Sequence, residues 1–593
     1  SGDDTYVFNT NDVDTGESIT EASNGGTDAV SIATTTDFVN MPASSFDEIE
    51  QILFSGANQT ATFTSLQLTG ETLSLAEAET VEGVSNFVVN VGTSETATFA
   101  NITAANSFTS GTDIVTINGS TGNETITGPN LASSIYGGVG SDTLTGGTEN
   151  DIISGGEGDD TLSGGNGNDT ITGGLGNDTL TGGEGIDTFN VDAGTDTITD
   201  ITVNDILVIA SGAVANVTDV AAFTANSSTY SNGQLTLISA SAGANIDLSQ
   251  SGSGDFNITG GAGNDNLSGG SGSDTIIGDA GNDTISGGDG ADSLTGGSGD
   301  DTYVFNTNDV DAGESITEAS SGGTDIISVV TTTDFANMSA NSFDEIEQIL
   351  FSGANQTATF TSLQLTGETI ALNETATGTS NVIINISNPG ESASFTNLSA
   401  GTFDSLPGFD TITINGLSGS ETITAANLAS SINGKEGNDI LIGGSSIDTI
   451  SGGLGADTLT GNAGNDIFVI ADGDSGLSSS TADIITDFST GADKLKLGST
   501  GDGTNTTGNY VEAGTSVANF ISALAAANTA LNTLNTGTGS SPAYNTNADL
   551  FSFQYDSTYG YLFKDTDSDG DADMVIMLTG IDNTEIAHGD IIA

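Results

Sequence analysis

Residues 155–183 read GGEGDDTLSGGNGNDTITGGLGNDTLTGG, and the same pattern returns every nine positions. A fixed short period sets an architecture before any local propensity is weighed, so this stretch decides the fold. The phasing is G-G-x-G-x-D-x-U-x, with U a large apolar residue. From Gly137 six units follow without a gap, with Leu144, Ile153, Leu162, Ile171, Leu180 and Phe189 at U. A second block runs from Gly260 to Val304 (Leu267, Ile276, Ile285, Leu294, Tyr303) and a third from Gly434 to Val469 (Leu441, Ile450, Leu459, Phe468). Fainter units, GSTGNETIT at 119–127 and GLSGSETIT at 416–424, extend the first and third blocks backward.

Each part of the motif has a mechanical reason. Glycine permits positive φ and a tight turn with inward-pointing carbonyls. Aspartate supplies a hard carboxylate oxygen, and Ca²⁺ takes about six to eight oxygens in a forgiving geometry. The x-U-x tripeptide reads as a short strand whose U side chain faces the interior. Two nonapeptides then make one coil, so that loops i and i+2 stack on one side and hold Ca²⁺ between them. A flexible Gly/Asp-rich linker has no reason to keep an aliphatic residue at every ninth position.

The composition asks for cations. The 593 residues carry 80 acidic side chains against four lysines and no arginine, a formal net charge of −76. All four lysines lie at or beyond Lys435, so the chain repels itself unless cations bind. With no basic patch to neutralise phosphates, nucleic acid is not a partner. Acidity of this order accompanies disorder in apolar-poor chains, but 35% hydrophobic residues and regular Val/Ile/Thr/Phe patterning argue otherwise. There is no cysteine for a disulfide, and no apolar run approaches the ~20 residues of a membrane span. No charged-then-apolar leader is present, so export is expected to use another route.

A longer repeat lies over the nonapeptides. FDEIEQILFSGANQTATFTSLQLTGET at 46–72 is identical at 343–369, and SGDDTYVFNTNDVD recurs at Ser1 and Ser298. Ser1 falls in mid-unit, and the expectation is that these residues form the carboxy-terminal part of a longer chain. The expected organisation is a β-rich segment at 1–118, a roll block at 119–190, a β-rich segment at 191–259, a block at 260–304, a β-rich segment at 305–415 repeating 8–118, a block at 416–469, and a carboxy-terminal region at 470–593. The β-rich segments show short alternating runs between Gly or Asn. Parallel solenoid coils fit them best because they continue the stacking, with separate β-sandwiches as the alternative. The clearest helix is FISALAAANTALNTL at 520–534, apolar at Phe520, Leu524, Leu531 and Leu534. Each block ends on an aromatic U (Phe189, Tyr303, Phe468), and Tyr6 repeats the pattern; a large ring is expected to close the narrow core there.

These blocks resemble the calcium-binding β-roll of the repeats-in-toxin (RTX) family, whose members leave the cell by type I secretion. The resemblance implies an all-β, parallel β-roll or β-solenoid fold with Ca²⁺ as cofactor. It implies ligand carboxylates at Asp142, Asp160, Asp169, Asp178, Asp187, Asp265, Asp274, Asp283, Asp292, Asp301, Asp439, Asp457 and Asp466. Asp151 and Asp448 are ligands in impaired loops, where Glu149 and Ser446 replace glycine; Asp279 and Lys435 are further departures, and such loops are expected to bind weakly. Counting i/i+2 pairs gives about nine ions as a lower figure. A second calcium candidate is DTDSDGDAD at 565–573, where Asp565, Asp567 and Asp569 before Gly570 match the first half of an EF-hand-type loop, although Ile576 stands at position 12; a solvated acidic turn is the competing reading. DIITDFSTGADKLKL at 483–497 and GYLFKDTDSDGDADMVIMLTG at 560–580 resemble the terminal region of type I secreted proteins, which carry an uncleaved export signal in their last tens of residues.

Catalysis is not expected. GDSG at 473–476 looks like a serine-protease nucleophile loop, but the sole histidine is His588, and such a site needs a His base. H-E-x-x-H is absent. Paired carboxylates abound, yet a chain without Trp or Arg lacks the usual furniture of a polysaccharide cleft. Low Lys, no Cys, abundant Thr, Ser, Gly and Ala, and large tandem units resemble calcium-dependent surface-layer proteins with RTX repeats. The expected role is therefore structural: a secreted, self-assembling surface-layer, sheath or filament subunit on the bacterial cell. Its partners would be Ca²⁺, copies of itself and, through a preceding region, cell-surface polysaccharide. The alternatives are an adhesin or matrix-protein stalk, or the export module of a secreted enzyme.

Overall fold

The structure is a computed structural model that describes the chain apart from residues 1, 22–25, 79–82, 107, 110–111, 226–228, 232–233, 240–242, 252–253, 320–321, 376, 404–409, 498–509, 513–515, 537–549, 567–568, 570, 582–585, 587–589 and 593. It divides into two compact units, residues 1–301 and 302–593.

In the first unit the nonapeptide period becomes a coil of two strands. Thr161–Asn166 pairs in parallel with Thr179–Glu184, Leu162 opposite Leu180. The intervening strand Thr170–Leu175 lies in the opposite sheet and pairs with Ile152–Glu157, Ile171 opposite Ile153. Partners are thus eighteen residues apart, two repeats per coil, as the period implies. Side chains alternate outward and inward along each x-U-x strand, and every U residue from Leu144 to Phe189 is completely buried. Each fully buried Leu or Ile stabilises the coil by roughly 1.5–3 kcal/mol. One sheet reaches ten strands, from Thr36–Asp37 to Tyr230–Ser231.

The segments between the blocks are further solenoid coils, not sandwiches. They keep parallel pairing but lengthen the coil. Val30 lies opposite Ile52, Ile52 opposite Leu75, and Leu75 opposite Ala104. The extra length holds larger side chains: Phe38 stacks on Phe63 at 4.9 Å and meets Phe46 edge-on. A one-turn helix, Ser65–Leu68, turns the corner under a capping box between Thr64 and Gln67. The Gln67 amide donates to the carbonyls of Phe38 and Met41, satisfying them inside the coil.

The second unit repeats this plan. The helix Ser362–Leu365, its Thr361/Gln364 box and the stacked pair Phe335–Phe360 reproduce their counterparts. The block strands are shorter here, for example Ile440–Ile442 opposite Thr458–Thr460. The chain then departs from parallel order. Leu550–Tyr555, Tyr559–Asp565 and Met574–Thr579 form an antiparallel meander, whose last strand pairs with Asp483–Ile485. The helix Phe520–Thr536 covers it with buried Ala523, Ala527, Leu531 and Leu534. The expected helix at 520–534 is therefore present, although Phe520 and Leu524 are only partly buried.

The aromatic residues at the block ends do not seal the core. Phe189, Tyr303 and Phe468 are fully buried, but stacking continues past each, onto Leu207, Ile327 and Leu495. Tyr6 is only partly buried and gives its hydroxyl to Glu21. A ring at U instead occupies space left by a glycine: a Cβ on Gly182 would stand 2.9 Å from Phe189 Cζ, and one on Gly461 3.1 Å from Phe468 Cζ.

Candidate metal centre

The block aspartates form ladders along the coil. Each carboxylate accepts, through Oδ1, the backbone N–H of the residue one coil earlier. Asp142 donates to Asp160 at 2.7 Å, Asp160 to Asp178 at 2.8 Å, Asp151 to Asp169 at 2.7 Å and Asp169 to Asp187 at 2.8 Å. The same bond joins Asp265 to Asp283, Asp274 to Asp292, Asp283 to Asp301, Asp439 to Asp457 and Asp448 to Asp466. All fifteen block aspartates named from the sequence are at most 3% exposed.

The second carboxylate oxygen is the telling atom. Oδ2 of Asp142, Asp160, Asp169, Asp178, Asp265, Asp283, Asp439, Asp457 and Asp466 is buried without a hydrogen-bond partner. Leaving a buried acceptor unsatisfied costs about 1–3 kcal/mol, more for a charged group, so a row of them marks places built for something else. The first glycine of each repeat makes room for this atom: a Cβ on Gly155 would lie 2.1 Å from Asp160 Oδ2, and one on Gly164 2.2 Å from Asp169 Oδ2. The second glycine is held in the left-handed region. Gly156 has φ +116°, and its Cβ would stand 2.1 Å from the Gly138 carbonyl of the preceding coil. Where the sequence departs from glycine at this position the backbone keeps the same conformation, with φ of 74° at Asp279 and 77° at Lys435.

Burial, helped by like-charged neighbours, raises most of these carboxyls above the usual carboxylate range. Asp160 and Asp169 are pushed up to about 7, chiefly by burial and then by adjacent ladder carboxylates, with the backbone N–H bond opposing. Asp439 also reaches about 7, and Asp283 and Asp457 about 6, again led by burial. Protonation at low pH or a bound cation relieves this arrangement.

Two aspartates differ. Asp274 and Asp448 also accept an N–H through Oδ2, from Gly270 and Gly444, each at 2.7 Å. Asp448 lies in a departed loop, but the loop of Asp274 has every consensus residue, and only the structure separates it from its neighbours. Near the carboxy terminus Asp565 is buried in a strand and Asp569 accepts the Asp571 N–H in an exposed turn; Asp567 and Gly570 lie outside the described residues. Ser475 of the GDSG stretch is buried, its hydroxyl donating to the Val575 carbonyl at 2.6 Å.

The ladders also run beyond the aspartates named from the sequence. Asp196 and Asp205 accept from Asp178 and Asp187 at 3.0 and 2.9 Å. Both keep the nine-residue register after the glycines have lapsed, so counting on from Asp187 would have found them. Asp483 and Asp493 accept from Asp457 and Asp466 across steps of 26 and 27 residues, where the period gives no guide. Burial pushes Asp483 up to about 8.

The donors are all oxygens: unpartnered carboxylate atoms beside glycine-turn carbonyls. That set fits a hard cation of the Ca²⁺ type, which takes about six to eight oxygen ligands. Fold and ladder together define a parallel β-roll with cation-binding turns. The family comparison makes this specific: residues 136–171, 163–198, 241–276, 268–303 and 431–468 match the RTX calcium-binding nonapeptide repeat in its four-copy form. The matched stretches are RTX calcium-binding nonapeptide repeats by this comparison, and they lie within a β-solenoid, which supports an RTX β-roll. No curated protein matches it.

Proposed function

We propose that the chain is a non-enzymatic, calcium-dependent subunit of a bacterial surface layer, sheath or filament, exported by type I secretion and assembling on the cell surface. The observation that carries this reading is a repeated apolar contact point. Leu66 and Leu363, at the same place in the two identical 27-residue stretches, project from equivalent one-turn helices and are 66% and 53% exposed. Equivalent surfaces repeated along one chain engage equivalent surfaces on others, and contacts that do not close propagate. Calcium enters twice, filling the ladders and lowering a net charge of −76 that otherwise keeps copies apart over a screening length of ~8–10 Å. Membrane insertion plays no part in this reading; among the described residues no helix is long and apolar enough to cross a membrane.

Imaging and light scattering of the purified chain in millimolar calcium and in chelator test the proposal. Ordered sheets or filaments that dissolve in chelator, and that Leu66→Ser with Leu363→Ser abolishes, are the expected result. A strictly monomeric chain at high concentration in calcium overturns it and favours the stalk of an adhesin.

A further inference from the structure

The fainter units ahead of the first and third blocks place a glutamate where the consensus has aspartate, and the two glutamates end in different states. Glu124, 1% exposed, has both oxygens engaged: Oε1 accepts from the Ser94 N–H at 2.7 Å and the Ser120 hydroxyl at 3.1 Å, and Oε2 accepts from the Ser120 N–H at 3.1 Å. Glu421, also 1% exposed, stands at the equivalent position, but Leu417 replaces Ser120 and brings no hydroxyl. Its Oε1 accepts the Gly390 N–H at 2.8 Å, while Oε2 is buried without a partner.

The unpartnered oxygen does not stand alone. The Glu421 N–H donates to Asp439 Oδ1 at 2.8 Å, so the two residues are consecutive rungs of one ladder. Asp439 Oδ2 is likewise buried without a partner. The turns stack closely: the Asn438 N–H donates to the Ser420 hydroxyl at 3.1 Å, and a Cβ on Gly437 would collide with the Gly419 carbonyl. Two buried carboxylates, each with one oxygen tied to backbone and one left over, thus occupy consecutive rungs between stacked glycine turns. No lysine is positioned to neutralise them by any ion pair among the described residues, which are Lys494–Asp590 and Lys564–Asp472.

We propose that Glu421 and Asp439 together hold a calcium ion, a site that lies partly outside the matched repeats and joins the preceding long coils to the third block. The Glu124 turn, satisfied by Ser120, takes no ligand from its glutamate. The sequence pair Leu417/Ser120 is thus a selector: a hydroxyl donor at this position removes the glutamate from the ligand set, and an apolar residue leaves it available. The site depends on the calcium-binding repeats and not on assembly.

Calcium stoichiometry of the full chain, by equilibrium dialysis with metal analysis, tests this. Glu421→Gln is expected to bind one ion fewer than the unaltered chain, and Glu124→Gln the same number. Full stoichiometry in Glu421→Gln, or an equal loss in Glu124→Gln, overturns the proposal. If Glu421→Gln fails to recover its β circular-dichroism signal in calcium, Leu417→Ser decides. This change supplies the donor found at Ser120, and it is expected to weaken one site about tenfold, the worth of one hydrogen bond to a charged group. Unchanged calcium affinity in Leu417→Ser overturns the proposal.

Discussion

Calcium binding to the ladders should depend on pH far more steeply than binding to ordinary carboxylates, and the size of the effect follows from one pair. Asp439 and Asp457 are successive rungs, each with an unpartnered Oδ2, and burial raises them to about 7 and about 6. Both must be ionised to bind the cation. At pH 5 the first lies about two units below its midpoint and the second about one, so the doubly ionised state falls about a thousandfold relative to pH 8. Carboxyls at the ordinary 3.8 would change that population less than about twofold over the same range. Isothermal titration of the full chain at pH 8, 6.5 and 5 measures the difference. A change of less than twofold in apparent affinity refutes the burial argument. The calcium-free chain should respond in the opposite sense. Because folding raises these midpoints, the ladders' contribution to stability is fully present below the ordinary carboxylate range and is lost as pH rises through 6 to 7. In chelator, β circular dichroism should therefore be greater at pH 4 than at pH 7.5.

Three further outcomes are expected. Leu162→Ala, at a completely buried U position, should lower stability in saturating calcium by about 2–5 kcal/mol, whereas Leu175→Ala on the exposed face should change it by less than about 0.5 kcal/mol; urea titration followed by circular dichroism compares them. Asp169→Ala should lose calcium stoichiometry and Asp47→Ala, exposed and outside any block, should not; equal losses by equilibrium dialysis would contradict the ligand assignment. Gly156→Ala, whose Cβ would meet the Gly138 carbonyl at 2.1 Å from a backbone already at φ +116°, should abolish amide-exchange protection in its own and the preceding coil, while Gly2→Ala, with open space around it and no left-handed backbone, should leave protection there unchanged.

Much of this was legible in the sequence because the nine-residue period fixes strand, turn and ligand at once. Leu162 could be placed inside, Asp160 in a turn and two repeats in one coil before any coordinates. The long coils were harder. Steps of 22 to 30 residues between paired strands, such as Val30 to Ile52 and Ile383 to Thr413, leave no period to follow, and alternating Thr/Val runs suit a sandwich as well as a solenoid. The free oxygen of Asp283 and the occupied one of Asp274 were beyond reach for another reason. Both residues sit in turns with the Asp and most glycines in place, and the difference is a single N–H from Gly270 that only folded geometry reveals. The role of Glu421 was hidden likewise, because it depends on the hydroxyl missing from Leu417.

The ladder bond has a direction, and the direction has a consequence for how the chain can be cut. From Asp142 to Asp187 and from Asp439 to Asp466 each rung donates its N–H forward, so each of these coils is completed by a carboxylate from the coil that follows it. The closing Asp205, Asp483 and Asp493 turn their own N–H to Thr202, Ser475 and Ser489. The final nonapeptides are therefore closed by Asp483 and Asp493, residues that belong to no nonapeptide. A chain ended after residue 470 would retain all of its repeats and still expose the amides of Asp457 and Asp466 with nothing to accept them. The unit of integrity in this protein is the repeat together with its successor, and the residues after the third block are the successor on which that block depends.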